Sequence, residues 1–434
     1  MNVITQTLPG KLRIEGKTKL VYDIGNGMAR LVAKDDITAG DGAKHDVIPD
    51  KGKLATRTTC NVFRLLKACG MDVAFEEQVG EISFEAPLTT MLPYEVVVRR
   101  EAHGSALKRA PHYTKGQYFP KLIVELYLKT KDKDWKGKPL VADDPFMQVD
   151  LKNEKIKLFN PAKPIIGQEP FLTLSTNDVF TQENEPVLIE RMKTAAKRAF
   201  LILEKAWAIE GRTLVDYKVE FGIDANGKLL LADVIDNDSW RVLENGAYID
   251  KQIYRDGGGL DDVVIKYRHV SKLTDHFGLP RQQIILWCGS ESDKTAPFDK
   301  ALDEIVGDNP FPLFNRVVCS AHKEPIAAAD LLNRLVQETP DSVIIAYVGR
   351  SNGLGPIASA QSTTPVITVP ASAKEFPEDV WSSLRAPSKV PVMTVLEPSN
   401  AVLAALQILS GRNPMIYAAL RTDIEKRAVN TMVI

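Results

Sequence analysis

Fully apolar runs recur in the last third of the chain. They are IILWC from Ile284, RVVCS from Arg316, SVIIAYV from Ser342 and PVITVP from Pro365, and amphipathic stretches such as PIAAADLLNRLVQE separate them. Apolar strands that alternate with helices are typical of βαβ units around a parallel sheet that is buried on both faces. The pattern predicts an α/β doubly wound parallel-sheet domain over residues 282–434.

The first part of the chain mixes alternating strands with helices and predicts an α+β domain over residues 1–256. Two glycine-containing segments, Gly25-Asn26-Gly27 and Asn226-Gly227, are hairpin signals. A helix is predicted over residues 185–210, because its apolar side chains share one face. These side chains are Leu188, Met192, Ala195, Ala199, Ile202 and Leu203.

Two further segments differ from this pattern. Residues 257–281 begin with three glycines and continue into a helical stretch, which is typical of a structured linker between the two domains. Residues 129–170 are polar and bulky and have no clear periodicity, so we assign them no structure.

Composition and charge narrow the functional classes. The 434 residues carry 55 basic and 56 acidic side chains, for a net charge of −1. This balance offers no general electrostatic attraction to nucleic acid or to an anionic membrane, so neither is expected as a partner. Hydrophobic residues at 44% and charged residues at 26% are ordinary for a globular protein and exclude disorder as an overall description.

The cysteines and the N-terminal residues bear on location. The four cysteines form no CxxC pair, which argues against a disulfide scaffold or a cysteine zinc site. The first residues contain no apolar segment typical of a signal peptide, and the apolar runs are far shorter than the roughly 20 residues of a membrane helix. We therefore expect a cytoplasmic protein with no membrane partner.

An acidic hairpin lies between residues 214 and 241. Side chains two apart share a strand face, so Asp216, Lys218 and Glu220 point away from the core. If Asn226-Gly227 forms a two-residue type I′ turn, Glu220 lies opposite Asp233, and two carboxylates there repel each other. A bound Mg²⁺ shared with nucleotide phosphates would remove the repulsion. The alternative is a solvated face on which Lys218 reduces it.

Other candidate anion-binding groups are weaker. Lys17 and Lys19 lie in a strand–glycine–strand segment and suit phosphates, although a Lys-x-Lys strand edge also protects against aggregation. Arg99 and Arg100 lie in a strand and a helix begins around Ser105, a combination that suits carboxylate or phosphate groups. A surface arginine pair is the alternative there.

The first part of the chain carries five separated motifs between about Lys11 and Arg255, in this order: EGKTK, ITAGDGA, VVVRREAHGSALKR, DYKVEFG and ADVIDNDSWR. Together they resemble the SAICAR synthetase family of purine biosynthesis. The family ligates a carboxylated imidazole ribotide (CAIR) to L-aspartate with ATP and Mg²⁺. The resemblance implies that ATP is bound by Lys17, Lys19, Met91, Asp216 and Lys218, and that Asp216 and Lys218 are also catalytic. It implies that Glu220 and Asp233 bind magnesium. It assigns the binding of CAIR or aspartate to Asp41, Arg99, Ser105 and Arg241.

Three strand ends in the second domain carry small polar residues. The segments CGSESD, CSAHKEP and GRSNGLGP each follow an apolar strand, and ligands of doubly wound sheets bind outside these carboxyl ends. Hydroxyl groups, main-chain amides and glycines together suit a phosphate. The domain has neither a dinucleotide-binding GxGxxG nor a Walker lysine motif, so NAD and a P-loop nucleotide are poor candidates.

His322 is the proton-transfer candidate in the second domain. It stands at a strand end, and histidine exchanges protons near neutral pH. A structural histidine is the alternative. Cys288 and Cys319 lie within apolar strands, and we interpret them as small core residues rather than nucleophiles.

The same three segments resemble AIR carboxylase, in the class that uses CO₂ directly. The related class that rearranges a carbamate has a second histidine in the glycine-rich loop, where this chain has GRSNGLGP. The resemblance covers about residues 282–410 and implies carboxylation of aminoimidazole ribotide (AIR) without ATP, biotin or metal. It makes His322 the catalytic residue and assigns AIR or CO₂ binding to Ser290, Asp293, Ser320, Lys323, Arg350 and Ser351.

Both resemblances in one chain predict a bifunctional enzyme in which CAIR from the second domain is consumed by the first. A ribotide-binding sensor and a ligase with an inert assembly domain are the alternatives, and the retained His322 argues against both. Related carboxylases are octamers with contacts near the segment WSSLRAPSKVP at residues 381–391, which predicts a homo-octamer.

Overall fold

The computed structural model describes residues 10–39, 44–307 and 312–430. They form two compact units. The first unit contains the described residues up to Gly278 together with those from Thr422 onward, and the second contains Leu279–Arg421.

The first unit begins with a small antiparallel sheet. Its described strands and those of a neighbouring hairpin are β1 (Lys11–Glu15), β2 (Lys19–Gly25), β3 (Met28–Ala33), β4 (Asp36–Ala39), β5 (Lys44–Val47), β6 (Glu77–Gly80) and β7 (Ser83–Pro87). The sheet order is β1-β2-β3-β7-β6, and β4 pairs with β5. Asn26 and Gly27 both have positive φ (53° and 71°), which is the geometry of the predicted tight turn between β2 and β3.

A larger antiparallel sheet follows in the same unit. The strands of this part of the chain are β8 (Thr90–Glu101), β9 (Tyr118–Leu128), β10 (Asp134–Trp135), β11 (Lys138–Pro139), β12 (Phe146–Asp150), β13 (Lys155–Phe159), β14 (Leu172–Ser175), β15 (Thr213–Ile223), β16 (Leu229–Ala232), β17 (Trp240–Glu244) and β18 (Ala247–Tyr248). In the sheet they run in the order β14-β13-β12-β9-β8-β15-β17-β18, with β16 paired to β15. Strands β10 and β11 form a separate hairpin. The segment left unassigned from sequence therefore supplies strands of this sheet and the small hairpin beside it.

The helices of the first unit pack on these sheets. They are α1 (Lys51–Ala68), α2 (Ser105–Arg109), α3 (Thr176–Val179), α4 (Glu185–Ile209), α5 (Gln252–Arg255) and α6 (Leu260–Thr274). Helix α4 confirms the predicted helix, and its apolar face packs on the core side of β15, where the Tyr217 hydroxyl donates to the Ala196 carbonyl at 2.6 Å. No helix in the described ranges combines the length and apolar character needed to cross a bilayer.

The segment predicted as a structured linker contains α6, which packs against α1. The Arg57 guanidinium donates from Nε to Asp275 Oδ1 at 2.7 Å, just beyond the end of α6. The Asn61 amide donates to the same carboxylate oxygen at 2.9 Å. Residues 257–278 are thus a packed part of the first unit.

The second unit is a parallel sheet between helices. Its strand order is β20-β19-β21-β22-β23, and its elements are β19 (Gln283–Cys288), α7 (Ala296–Val306), β20 (Leu313–Val318), α8 (Pro325–Glu338), β21 (Ser342–Val348), α9 (Leu354–Gln361), β22 (Val366–Pro370), α10 (Trp381–Leu384), β23 (Met393–Thr394), α11 (Pro398–Ser410) and the first part of α12 (Pro414–Arg427). All the pairings are parallel. The buried strands β19, β21 and β22 confirm the doubly wound α/β prediction.

Candidate functional site

A cavity of about 670 Å³ lies between the two sheets of the first unit. One end is apolar and is lined by side chains such as Val21, Leu31, Phe84 and Met91. The other end is charged. The volume is that of an ordinary small-molecule site, and the division suits a ligand with a flat apolar part and an anionic part.

Two lysine–carboxylate pairs form the charged end of this cavity. The Lys19 ammonium contacts the Asp233 carboxylate, and Lys129 Nζ lies 2.6 Å from Glu220 Oε1. Burial lowers the pKa of Lys19 to about 8, although the nearby carboxylates of Glu220 and Asp236 act in the opposite direction. Cations and carboxylates therefore alternate where an anion and a divalent cation would bind together.

The hairpin that carries the carboxylates differs from its predicted register. Glu220 pairs with Ala232 rather than with Asp233. The Asp224 amide donates to the Lys228 carbonyl at 3.0 Å and encloses a three-residue loop, 225–227, with Gly227 at φ 78°, in place of a two-residue type I′ turn. Strand β16 ends at Ala232, and Asp233 has a left-handed backbone with φ 64°. That turn brings the Asp233 side chain to the same cavity as Glu220. The pairing prediction was wrong, yet the two carboxylates share one site.

A metal at this site would need ligands beyond the protein. In the described ranges, no three histidine, cysteine or acidic side chains converge as a metal-binding group. Two carboxylates are a suitable protein contribution for Mg²⁺, which keeps several waters and takes phosphate oxygens from the nucleotide. Glu220 and Asp233 therefore fit a nucleotide-dependent magnesium site.

The remaining predicted nucleotide residues are distributed unevenly. Met91 lines the apolar end of the cavity, and Gly222 gives it room, because a Cβ at Gly222 would lie 3.2 Å from the Met91 Sδ. Lys17 is exposed in the turn between β1 and β2. Asp41 lies outside the described residues, so its proposed role stays a prediction.

A second cavity of about 290 Å³ is lined by an arginine–carboxylate network. The buried Asp216 carboxylate accepts hydrogen bonds from Arg99 at 2.5 Å and from Arg241 at 2.8 Å. Arg99 also donates to Glu125 at 2.7 Å and to the Ser105 hydroxyl at 3.4 Å. The structure thus brings together Arg99, Ser105 and Arg241, the three described residues predicted to bind the carboxylated ribotide.

Asp216 and Lys218 line this second cavity. Lys218 Nζ lies 2.7 Å from Glu95 Oε2. Burial would lower the pKa of Lys218, but Glu95 and Glu220 outweigh it and raise that pKa, so the side chain stays charged. ATP contacts for Asp216 and Lys218 stay a prediction.

Glycine is required beside Arg241. Gly104 has φ 54°, and a Cβ at this position would lie 2.3 Å from the Arg241 guanidinium nitrogen. The glycine of the EAHGSALKR motif therefore lets the guanidinium approach the main chain before α2.

Several residues of the network were not predicted from sequence. Arg109 donates to Glu125 at 2.6 Å, and the two arginines around Glu125 hold its pKa below the usual range although burial acts to raise it. An acidic residue inside the apolar run LIVELYL is a signal that would have identified Glu125. Lys129 and Asp144 lie in the segment without periodicity and had no such signal.

A buried cluster centred on Asp238 adjoins the second cavity. Its carboxylate lies 3.4 Å from Lys51 and 3.0 Å from Lys251, and the Tyr267 hydroxyl donates to it at 2.5 Å. Burial acts to raise the pKa of Asp238, but the two lysines hold it well below the usual range. Tyr267 comes from α6, so the segment predicted as a linker supports the site.

In the second unit, the three predicted strand ends meet at one edge of the sheet. The segments CGSESD, CSAHKEP and GRSNGLGP follow β19, β20 and β21, and β19 lies between the other two strands. The chain passes from β19 to β20 on one side and then crosses to β21 on the other side of β19, so the strand order reverses there. Doubly wound sheets bind ligands at such a topological switch point. The predicted location of the site is consistent with this topology.

The His322 imidazole lies against the glycine-rich loop. A Cβ at Gly353 would be 2.5 Å from His322 Nε2 and 2.7 Å from its Cε1. The next turn is fixed by Asn352, whose side chain accepts from the Gly355 amide at 2.8 Å and donates to the Ser383 hydroxyl at 3.1 Å. Sequence reasoning did not identify Asn352 as a support of this loop.

The other predicted ribotide residues occupy the three segments. Asp293 accepts from the Ser290 amide at 3.0 Å, and the Ser320 carbonyl accepts from the Lys323 amide at 3.2 Å. The side chains of Ser290, Ser292 and Lys323 are exposed, Ser320 is half-buried, and Arg350 and Ser351 are exposed on the loop after β21.

The cysteines of this unit are core residues, as predicted. Cys288 and Cys319 are 2% and 8% exposed. Burial raises the pKa of Cys288 to about 11 and also raises that of Cys319. A thiolate nucleophile is disfavoured at both positions.

Comparison with known families assigns both parts of the chain. The family model for SAICAR synthetase matches residues 12–163 and 167–272, and the family model for AIR carboxylase matches residues 283–429. A solved SAICAR synthetase in complex with ADP is 28% identical, with a TM-score of 0.48, covering 60% of this chain and 96% of that one.

Relatives with both parts match along nearly the whole chain. A probable multifunctional protein ADE2 of Caenorhabditis elegans is 34% identical over 97% of this chain and 95% of its own length. The bifunctional phosphoribosylaminoimidazole carboxylase/phosphoribosylaminoimidazole succinocarboxamide synthetase of Homo sapiens is 34% identical over 96% of this chain and 93% of its own. The protein therefore belongs to the family of bifunctional enzymes of purine biosynthesis that join an AIR carboxylase to a SAICAR synthetase.

Proposed function

We propose that the second unit carboxylates AIR with CO₂ directly, without ATP, biotin or a metal. The observation that carries this proposal is the packing of His322 against Gly353, in a loop whose sequence, GRSNGLGP, has no second histidine. The electron-rich ring carbon of AIR attacks the CO₂ carbon and forms the new C–C bond. His322 then takes the proton that this ring carbon loses, which restores the aromatic ring and leaves CAIR.

The ribotide phosphate would bind among the three loops. Ser290, Ser320 and Ser351 offer hydroxyl groups, and Lys323 and Arg350 offer positive charge. Asp293 fixes the first loop through the Ser290 amide. These groups match the anion-binding chemistry expected at strand ends near helix N-termini.

In the first unit, we infer that ATP occupies the larger cavity and CAIR the smaller one. Lys17 and Lys19 would hold phosphates, and Met91 would contact the adenine at the apolar end. Glu220 and Asp233 would hold Mg²⁺, which supplies charge neutralisation on the phosphates. Arg99, Ser105 and Arg241 would hold CAIR, with Asp41 as a further candidate for CAIR or aspartate.

The ligation then proceeds in two balanced steps. A CAIR carboxylate oxygen attacks the γ-phosphorus of ATP, giving an acyl phosphate and ADP. The aspartate amine attacks the acyl carbon, phosphate leaves, and one amine proton is lost as the amide forms. Lys218 adjoins both cavities through Glu95 and Glu220, so its charge can stabilise the transferred phosphoryl group. Asp216 orients the arginines that bind the substrate.

Assembly and location complete the proposal. Trp381 and Leu384 are 61% and 56% exposed at the predicted subunit contact, which supports a homo-octamer. The four cysteines are free and buried, which supports a reducing, cytoplasmic location.

The test of the proposal is ADP release by the purified protein given AIR, bicarbonate, L-aspartate, ATP and Mg²⁺, with each component omitted in turn. No CAIR is supplied. ADP release that requires both AIR and aspartate and is stimulated by bicarbonate is expected. Release that persists without AIR, or no release even when CAIR is supplied, would contradict the proposal.

A further inference from the structure

Residues 119–122 leave the ladder between β8 and β9. Arg99 pairs with Ile123, but the next partners are Glu101 and Tyr118, so four residues of β9 lie opposite the single residue Arg100 and form a bulge. Backbone N–H and C=O groups in such a bulge lose their strand partners and need others. The bulge lies directly beside Arg99, which lines the second cavity of the ligase unit.

Two backbone carbonyls of the bulge accept hydrogen bonds from Arg100 of β8. The Arg100 guanidinium donates from Nη1 to the carbonyls of Phe119 at 2.9 Å and Pro120 at 3.2 Å. Arg100 is only 2% exposed, and its other nitrogens donate to Glu204 at 2.6 Å and to Glu425 at 2.6 Å. A buried guanidinium depends on such carboxylate partners.

The rest of the bulge is satisfied by the C-terminal part of the chain. Glu425, itself 6% exposed, accepts from the Leu122 amide at 2.9 Å. The Asn430 side chain accepts from the Lys121 amide at 2.8 Å and donates to the Lys121 carbonyl at 2.9 Å, in the manner of a neighbouring strand. Residues 422–430 thus provide three of the backbone hydrogen bonds of the bulge.

The origin of this segment is unexpected. The AIR carboxylase match extends to residue 429, so by sequence the segment belongs to the carboxylase part. By its contacts, the chain from Thr422 onward belongs to the first unit, with the ligase residues.

We propose that two residues of the segment 422–430, Glu425 and Asn430, are positioning residues of the SAICAR synthetase site. Glu425 and Asn430 hold the 119–122 bulge and the buried Arg100, and thereby fix the neighbouring Arg99 toward Asp216 for CAIR. The proposal rests on the proposed role of Arg99 in CAIR binding. It makes the ligase site dependent on residues that follow the second unit in the chain and that the AIR carboxylase match includes.

The test uses the full-length protein with the variants Glu425→Gln and Asn430→Ala. The control is Asp423→Asn on the same helix, because Asp423 is exposed and its carboxylate pairs with Lys426 and Arg427 of that helix. Ligation of supplied CAIR, carboxylation of AIR and the melting temperature are measured on each preparation. The KM for CAIR is expected to rise roughly 10- to 100-fold in both test variants, since a small displacement of a substrate-binding group has effects of that size.

Three further readouts separate positioning from loss of structure. The KM for ATP and the rate of AIR carboxylation should change little in Glu425→Gln and Asn430→Ala. Glu425→Asp, which keeps the charge, should recover part of the CAIR affinity. Asp423→Asn should behave as the unmodified protein.

Two results would overturn the proposal. One is an unchanged KM for CAIR in both test variants. The other is a parallel rise of the KM values for CAIR and ATP together with a lower melting temperature, which would show general structural support. Arg99→Ala tests the assumption that Arg99 binds CAIR. An unchanged KM for CAIR in Arg99→Ala would show that the proposed CAIR site is wrong. A raised KM for CAIR in Arg99→Ala, with an unchanged KM in the Glu425 and Asn430 variants, would reject only the positioning role of those two residues.

Discussion

His322 and Gly353 are in contact across two loops at the edge of the parallel sheet, with space at Gly353 for a hydrogen but not for a methyl group. The φ of Gly353 is −84°, a value that any residue adopts, so this position needs glycine for the imidazole rather than for the backbone. The contact ties the candidate proton-transfer group to the glycine-rich loop and leads to a direct prediction.

Gly353→Ala should lower AIR carboxylation by roughly 100-fold or more, because the new methyl group displaces the imidazole that takes the ring proton. Ligation of supplied CAIR should be retained. Gly278→Ala is the control, since its Cβ would meet nothing within 4 Å. Assays of both activities on both variants check the prediction, and full carboxylation by Gly353→Ala would contradict the placement of His322.

Gly104→Ala should impair the ligase selectively. The added Cβ pushes on the Arg241 guanidinium, so kcat/KM for CAIR should fall roughly 10- to 100-fold. Gly246→Ala controls for backbone strain, because Gly246 has φ 80° but open space at its Cβ position. Steady-state ligation kinetics measure the effect. Equal losses in the two variants would show that strain, not Arg241, is responsible.

The affinity for ADP should depend on pH through Lys19. Its pKa of about 8 means that the free site loses this positive charge as the pH rises through that value. Bound phosphate favours the charged form, so the Kd of ADP should be nearly constant below pH 8 and should rise above it, by at most about tenfold per pH unit. Calorimetric titrations between about pH 7.5 and 9.5 test this, where the nucleotide phosphates are already ionised.

Lys19→Arg is the matched variant for this pH dependence. Arginine keeps its charge throughout the range, so its Kd for ADP should be nearly flat above pH 8. The same rise in Lys19→Arg as in the unmodified protein would assign the pH dependence to another group.

Trp381→Glu should dissociate the predicted octamer. A charge placed in an apolar subunit contact is costly to bury, so light scattering should report smaller assemblies. Ile265→Glu is the control, since Ile265 is equally exposed, at 60%, on α6 of the first unit. A monomeric mass for the unmodified protein would contradict the octamer outright.

Much of the architecture follows from local pattern. The apolar runs identify the central parallel strands β19, β21 and β22 because these strands are buried on both faces. The alternation along β15 separates the Tyr217 face from the Asp216 face. The bounds of helix α4 were predicted to within one residue, because its apolar side chains recur every three or four residues and share one face. These features depend on neighbours within a few positions in the chain.

The sequence-based predictions were wrong or incomplete where the position of a side chain depends on loop geometry or on contacts between distant parts of the chain. The Asn226-Gly227 pair suits several hairpin loops, and a loop one residue longer shifted the pairing of Glu220. The positive φ of Asp233 turns its side chain to the cavity. No sequence pattern predicts this backbone conformation as clearly as the apolar patterns predict strands and helices. Lys129 and Tyr267 reach the site from segments far away in the chain.

Reciprocal inactivation tests whether two independent sites in one chain act in sequence. His322→Asn and Asp233→Asn are each assayed with AIR, bicarbonate, aspartate, ATP and Mg²⁺, with and without supplied CAIR. We predict that His322→Asn makes no SAICAR from AIR but normal amounts from CAIR, and that Asp233→Asn accumulates CAIR and makes little SAICAR from either substrate. Loss of both activities in either folded variant would show that the two sites are not independent.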